Sequence, residues 1–185
     1  MDWLNQFEVG ILHSLYETLQ CAFLDKVMPV ITSLGDAGIF WIVLAVVLLF
    51  FKKTRRAGIS MAFSLIFGLI LCNLTLKPLV GRIRPYDFDP TLQSLMLVEG
   101  EHDFSFPSGH TIASIEAAFA LWFNTKKWGT LAVVLAFVIA FSRLYLLVHY
   151  PTDVLASVIL GILIAFLACL LANWLIKKTK IPCAD

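Results

Sequence analysis

Long apolar runs separated by short polar stretches make up most of the chain after residue 36. Five of these runs are apolar enough to form membrane-spanning helices, and they cover residues 37–51, 57–76, 110–123, 128–148 and 154–176. A helix over the fourth run would be about 32 Å long, which matches the hydrocarbon thickness of a bilayer. The first run is short, and its extension backwards meets Gly35 and Gly38, which weaken a helix. The pattern predicts an all-α integral membrane protein with five transmembrane helices in a bundle.

The first 24 residues follow a different pattern. Apolar side chains recur here every four positions, with polar residues mostly between them: Trp3, Phe7, Ile11, Leu15 and Leu19. This spacing is typical of an amphipathic helix that lies in the membrane interface. We therefore expect an interfacial helix over residues 1–24 and one membrane-embedded domain over residues 1–185.

The composition agrees with a membrane protein. Of the 185 residues 59% are apolar and 15% are charged, against about 45–50% and about 25% in soluble domains. A soluble globular domain is excluded on these grounds. The formal net charge is +1, and the cations form short clusters, so the expected partners are the bilayer and its lipids and not nucleic acid.

Three short basic clusters set the predicted orientation in the membrane. They are KKTRR at 52–56, NTKKW at 124–128 and KKTK at 177–180. Short loops rich in Lys and Arg stay in the cytoplasm. With five spans, the N-terminal helix, the acidic loop 85–106 and the turn 149–153 then share the extracytoplasmic side. We expect a multi-pass protein of the cell membrane.

Polar residues form three groups at the ends of the apolar runs, all on that outer side. The first group is Lys77, Arg82 and Arg84, the second is Ser108, Gly109 and His110, and the third is Arg143, His149 and Asp153. Ionisable groups in or beside a membrane span are costly, so each is a candidate functional residue.

The three groups together suit phosphoryl transfer. This reaction needs positive charge and N–H donors around the phosphoryl oxygens, which Lys77, Arg84 and Arg143 would supply as cations. Ser108 is a natural N-cap, and Gly109 lets the backbone approach closely, so the start of the third helix would offer N–H groups to an anion. An imidazole can act as nucleophile or acid near neutral pH, and the spacing of His149 and Asp153 lets the carboxylate fix its tautomer.

The same residues resemble the tripartite signature of the type 2 phosphatidic acid phosphatase superfamily. The matching parts are Lys77 with six residues before Arg84-Pro85, then Pro107-Ser108-Gly109-His110, then Ser142-Arg143 with five residues before His149 and three before Asp153. All three parts agree in order and spacing over residues 77–153. The resemblance implies a membrane phosphatase that acts on a lipid phosphate.

The resemblance also implies a role for each residue. His149 would attack phosphorus to form a phosphohistidine, Asp153 would orient His149, and His110 would protonate the leaving oxygen. Lys77, Arg84, Arg143, Ser108 and the Gly109 N–H would hold the phosphoryl oxygens. No metal ion or other cofactor is implied.

Other functions remain open at this point. A vanadate-dependent haloperoxidase shares these phosphate-binding motifs, although membrane burial argues against it. A non-enzymatic transporter or scaffold would also carry intramembrane polar residues, but transporters usually show repeated or broken helices in two halves.

If the protein is a lipid phosphatase, the candidate substrates are undecaprenyl diphosphate, phosphatidic acid and phosphatidylglycerol phosphate, with the first preferred. Arg82 lies outside the signature, and we expect it at the mouth of the site, where it could meet the second phosphate of a diphosphate. An interfacial arginine at the lipid head groups is the alternative. The loop carboxylates Glu99, Glu101 and Asp103 are expected to be solvated, and Glu116, inside the third run, has no predicted partner.

Overall fold

The structure is a computed structural model, and it describes residues 2–183. The outermost positions of the predicted domain and of the predicted N-terminal helix, residues 1 and 184–185, lie outside the described residues. The helices are α1 (Asp2–Leu19), α2 (Ala22–Ser33), α3 (Ile39–Leu49), α4 (Arg55–Gly68), α5 (Lys77–Val80), α6 (Pro85–Phe88), α7 (Gly109–Asn124), α8 (Lys126–Tyr145) and α9 (Pro151–Thr179). A π-helix over Leu69–Leu76 joins α4 to α5, and short 3-10 turns occur at Asp36–Gly38 and Pro90–Leu95.

The all-helical membrane architecture is confirmed. Among the described residues, three helical stretches are long and apolar enough to cross a membrane: Arg55–Phe88, Lys126–Tyr145 and Pro151–Thr179. The bent pair Ala22–Ser33 and Asp36–Leu49 would make a fourth. Helix α7, with 16 residues, packs against α4, α8 and α9. Small buried residues on α7, such as Ala117 and Ala120, let these helices approach closely.

The first predicted span is broken at its N-terminal side. Helices α2 and α3 meet at an angle of 42°, and the backbone between them has positive φ at Ala37 (49°) and Gly38 (66°). A left-handed conformation at two successive residues ends an α-helix. The weak helix signal at Gly35 and Gly38 is therefore a real interruption, and α3 covers only the apolar part that follows it.

The second predicted span changes its winding halfway along. The sequence predicts a continuous helix over 57–76, but α4 ends at Gly68 and the chain continues as a π-helix to Leu76. π-helical segments occur frequently at functional sites. Here the wider turns end at Lys77, the first cation of the signature.

Helix α1 buries a face that carries both polar and apolar side chains. Asn5 and Glu8 are buried near its start, and Val9, Leu12 and Tyr16 on the same face belong to a hydrophobic cluster. Glu8 forms a buried ion pair with Arg82. The opposite side carries exposed apolar residues, with Trp3 at 75% and Phe7 at 64%.

Candidate active site

The turn between α8 and α9 positions His149. Leu147 adopts φ of 62°, and the Val148 N–H donates to the Arg143 carbonyl at 3.2 Å, so the chain reverses tightly after α8. Pro151 then starts α9 at a position where its missing N–H costs nothing. This arrangement leaves His149 fully buried, four residues before Asp153.

The carboxylate of Asp153 lies behind His149. Its Oδ2 accepts hydrogen bonds from the Tyr150 N–H at 3.0 Å and from Ser105 Oγ at 2.5 Å. His149 Nδ1 lies 3.4 Å from Ser105 Oγ and 3.6 Å from Asp153 Oδ2. An acceptor on this side favours the proton on Nδ1, which leaves the lone pair on Nε2.

The free nitrogen of His149 faces a cation. Nε2 lies 3.4 Å from Nη1 of Arg84, and the same Nη1 donates to the Val148 carbonyl at 3.0 Å. Burial lowers the pKa of His149 to about 4, with Asp153 opposing the shift and Arg84 adding to it. At neutral pH the imidazole is therefore uncharged and can act as a nucleophile.

Two loop carboxylates bind the three signature cations. Glu101 accepts from Arg84 Nη2 at 2.5 Å and also from Arg143. Asp103 accepts from Lys77 and Arg84. The expectation of a solvated carboxylate is wrong for Glu101, whose side chain is 31% exposed, whereas Asp103 is 54% exposed and still pairs with two cations. Their oxygens take the hydrogen bonds that phosphoryl oxygens would need, so a phosphate must compete with them.

The electrostatics of Glu101 follow from these contacts. Burial raises its pKa, but the guanidinium groups of Arg143 and Arg84 outweigh that effect and lower the pKa to about 2. The carboxylate is thus charged at neutral pH. Arg143 itself is buried, donates to Thr32 Oγ1 at 2.7 Å, and keeps an Nε that has no partner among residues 2–183. This N–H donor of Arg143 is thus buried without an acceptor in the described part of the chain.

His110, in the first turn of α7, points toward the break between α2 and α3. Its Nε2 lies 2.8 Å from Asp36 Oδ1, and its Nδ1 lies 3.9 Å from Glu101 Oε1. Gly35 makes this approach possible, because a Cβ there would lie 2.7 Å from Cδ2 of His110. The interruption of the first span is thus the place where a second imidazole is held.

The N-terminus of α7 carries the remaining signature residues. Ser108 occupies the N-cap position, but its side chain does not cap the helix. Its hydroxyl accepts from Thr111 Oγ1 at 3.0 Å, and its N–H donates to Ser157 Oγ at 2.9 Å. Gly109 is the first residue of α7, next to the side chain of Asn73.

Arg82 does not lie at the mouth of the site. It is 5% exposed and lies behind Asp153, with its guanidinium 3.8 Å from the centre of the Tyr150 ring. All five N–H donors are used, in hydrogen bonds to Asn5, Glu8, Thr152 and Asp153. Arg82 could not bind a phosphate without breaking one of them, so the expected place of this residue is corrected.

The structure thus brings eight of the nine predicted residues to one end of the bundle and sets Arg82 behind them. The sequence did not indicate five further contributors: Glu8, Asp36, Glu101, Asp103 and Ser105. Each acts through a partner that is distant in the sequence, and only the acidity of the loop gave any signal, for Glu101 and Asp103. The described residues contain no group of three His, Cys, Asp or Glu side chains that could hold a metal ion.

The sequence and the fold are both similar to known proteins. Residues 55–177 match the PAP2 superfamily. The chain is 33% identical over 159 residues to an undecaprenyl-diphosphatase of Sulfolobus acidocaldarius, which covers 85% of this chain and 75% of that protein. It is 36% identical over 177 residues to phosphatidylglycerophosphatase B of Bacillus subtilis, which covers 89% and 73%.

The fold is similar to the crystal structure of a transmembrane PAP2-type phosphatidylglycerolphosphate phosphatase from Bacillus subtilis. The TM-score is 0.71 at 30% identity, over 91% of this chain and 85% of that chain. The similarity therefore extends over most of both chains.

Proposed function

The chain belongs to the PAP2 superfamily, as its motifs predicted, and from this we propose that it hydrolyses undecaprenyl diphosphate to undecaprenyl phosphate and inorganic phosphate. Its relatives in this superfamily include membrane lipid phosphatases. The observation that carries the proposal is the geometry of His149: Nδ1 faces the Asp153 carboxylate and Nε2 faces the Arg84 guanidinium.

The proposed reaction has two steps. In the first, His149 Nε2 attacks phosphorus, the bond from phosphorus to the leaving oxygen breaks, and His110 donates a proton to that oxygen. In the second, His110 takes a proton from water, the oxygen of that water attacks phosphorus, and the P–N bond breaks to release inorganic phosphate.

The cations stabilise the charge in both steps. Lys77, Arg84 and Arg143 surround the transferred group, with Ser108 and the Gly109 N–H at the start of α7. Cations that the fold already holds in place stabilise a phosphoryl transition state without having to reorganise. This chemistry requires no metal ion and no other cofactor.

Undecaprenyl diphosphate is preferred because a relative at 33% identity is an undecaprenyl-diphosphatase. Phosphatidic acid and phosphatidylglycerol phosphate are the alternatives, and the latter is favoured by the relative named phosphatidylglycerophosphatase B. Because Arg82 already donates to Asp153 and Glu8, it gives no support for a diphosphate as the substrate. A transporter or scaffold would not account for the paired imidazoles among three cations.

We also propose five spans with the site on the extracytoplasmic side. The proposed spans are the bent pair of α2 and α3, the α4 to α5 stretch, α7, α8 and α9, with α1 in the interface. The exposed apolar stripe of α1 and the basic clusters at 52–56 and 124–128 support this topology.

Cysteine labelling of intact cells tests the orientation. Cys21, Cys72, Cys169 and Cys183 are first replaced, and single cysteines are placed at Thr91, Ser94, Lys53 and Lys127. An impermeant reagent should label the first two positions only. If a cysteine at position 53 or 127 were labelled without permeabilisation, the proposed orientation in the membrane would be wrong.

A competition assay tests the substrate. Phosphate release by the purified protein is measured with the three lipids together and separately, with EDTA and with vanadate, and with His149→Ala as the inactive control. We expect activity to survive EDTA, to be inhibited by vanadate and to be highest with undecaprenyl diphosphate. A higher kcat/KM for either glycerolipid would reverse the order, and EDTA-sensitive activity restored by magnesium would contradict the mechanism.

A further inference from the structure

A cavity of about 390 Å³ extends from the candidate active site into the bundle, between α3, the π-helix and α7. Lys77 and His110 line one end of it, and Glu116 lines the other. Glu116 follows His110 by six residues, which corresponds to about 9 Å along the helix. Ile42 and Leu69 also line the cavity and are about half exposed. The cavity therefore opens toward the surface where lipid chains lie.

Two side chains that line this cavity each carry a buried oxygen without a hydrogen-bond partner among residues 2–183. Glu116 is 1% exposed, and within residues 2–183 its Oε2 has no hydrogen-bond partner. The same holds for Oδ1 of Asn73, on the π-helix. Buried polar atoms are nearly always hydrogen-bonded, because leaving them unpaired is costly. A group that enters the cavity from outside the chain would supply the missing partners.

The two side chains lie at successive depths below the phosphoryl site. A Cβ added at Gly109 would be 3.7 Å from Nδ2 of Asn73, so Asn73 is level with the start of α7. The Glu116 carboxyl group lies against Gly68, where a Cβ would come under 3.0 Å from it. Glycine at position 68 leaves the room that this carboxyl group needs.

Resting on the proposed lipid phosphatase function, we propose that Asn73 and Glu116 form a polar subsite for the glycerol oxygens of a glycerolipid phosphate. These two side chains would then set the relative rates of hydrolysis of the glycerolipid phosphates named above and of polyprenyl diphosphates. A polyprenyl chain is hydrocarbon beyond its phosphates and would leave both side chains unpaired. A glycerol backbone carries hydroxyl or ester oxygens a few bonds from phosphorus, and amide and carboxyl groups can pair with either.

The test compares two phosphate monoesters of equal chain length. One is a phosphatidic acid, and the other is a branched alkyl phosphate in which hydrocarbon replaces the ester oxygens of the glycerol. In Asn73→Leu and Glu116→Leu, the ratio of kcat/KM for the first lipid to that for the second should fall about five- to tenfold, as expected for losing one or two hydrogen bonds. Glu116→Gln should lose less, because it still donates and accepts. The ratio is independent of the fraction of folded protein.

Asn173→Leu is the matched control, since Oδ1 of Asn173 is also buried without a partner among the described residues but does not line the cavity. It should leave the ratio unchanged. An unchanged ratio in Asn73→Leu and Glu116→Leu would overturn the subsite. If the wild type hydrolysed neither lipid and no polyprenyl diphosphate, the proposed function itself would fail, which is a distinguishable result.

Discussion

Arg82 donates from Nη1 to Oδ1 of Asp153 at 2.6 Å, on the side of the carboxylate that His149 does not use. The other nitrogen, Nη2, donates to Glu8 of α1 at 2.6 Å. Glu8 also accepts from the Thr152 N–H at 2.7 Å. The N-terminal helix is thus connected through one guanidinium to the carboxylate behind the proposed nucleophile, and we expect Arg82 to be a positioning residue.

Replacing Arg82 should lower kcat equally for all substrates. A lysine cannot contact Asp153, Glu8 and Asn5 together, so Arg82→Lys should leave Asp153 less well oriented and reduce kcat about tenfold or more, with KM little changed. Kinetics with undecaprenyl diphosphate and phosphatidic acid, together with thermal unfolding, measure this. A loss confined to the diphosphate would restore Arg82 as a ligand of the second phosphate.

His149→Ala should abolish turnover, because no other described nucleophile lies beside Arg84 in the same way. Rapid denaturation without acid, after mixing with radiolabelled substrate, should leave label on His149 in the wild type. In His110→Ala, which lacks the proposed acid, less label should accumulate on His149 with substrates whose leaving group is poor than with substrates whose leaving group is good. Label on a serine or an aspartate would contradict the phosphohistidine.

The acid limb of kcat/KM should lie near pH 4. The pKa of His149 is lowered from 6.5 to about 4 in the folded protein, so the neutral nucleophile persists well below pH 6. The same shift destabilises the fold as pH falls from 6.5 toward 4, because the unfolded chain binds the proton first. Thermal unfolding of His149→Gln should therefore depend less on pH over this window. If kcat/KM fell on the acid side already above pH 6 because His149 became protonated, the lowered pKa of His149 would be disproved.

Glu101→Gln should tighten the binding of inorganic phosphate and vanadate. The Glu101 carboxylate pairs with Arg84 and Arg143, and a neutral amide would compete less strongly for these cations, by about threefold or more in inhibition constant. Glu99→Gln is the control, because Glu99 is exposed in the same loop. Weaker phosphate binding in Glu101→Gln would mean that the carboxylate holds the arginines in place for the ligand.

Gly35→Ala should impair the proposed acid. The added methyl group would lie 2.7 Å from Cδ2 of His110, which must then shift away from Asp36. We expect kcat to fall about tenfold with an alkyl phosphate and less with p-nitrophenyl phosphate, whose leaving group needs no proton. Gly10→Ala, with open space around it, is the control. Equal losses with both substrates would indicate a general distortion.

The sequence by itself determined the class of protein and supplied most of the candidate site residues. Apolar runs are set by neighbouring residues, so they predicted a helical membrane protein, and the glycines at 35 and 38 marked the interruption before α3. Motif spacing likewise identified Lys77, Arg84, His110, His149 and Asp153, because a shared chemistry fixes residue types and intervals. The number of spans and the side of the membrane stay predictions.

Tertiary structure decided what each charged residue pairs with. Glu8 and Arg82 are 74 positions apart, and no local periodicity connects them. The burial of Glu8 on α1 and the position of Arg82 therefore could not be predicted from the sequence. The same is true of Ser105 behind His149 and of Glu101 on the arginines. In an apolar interior a buried charge must find an opposite charge, and only the folding of distant segments determines which one lies within reach.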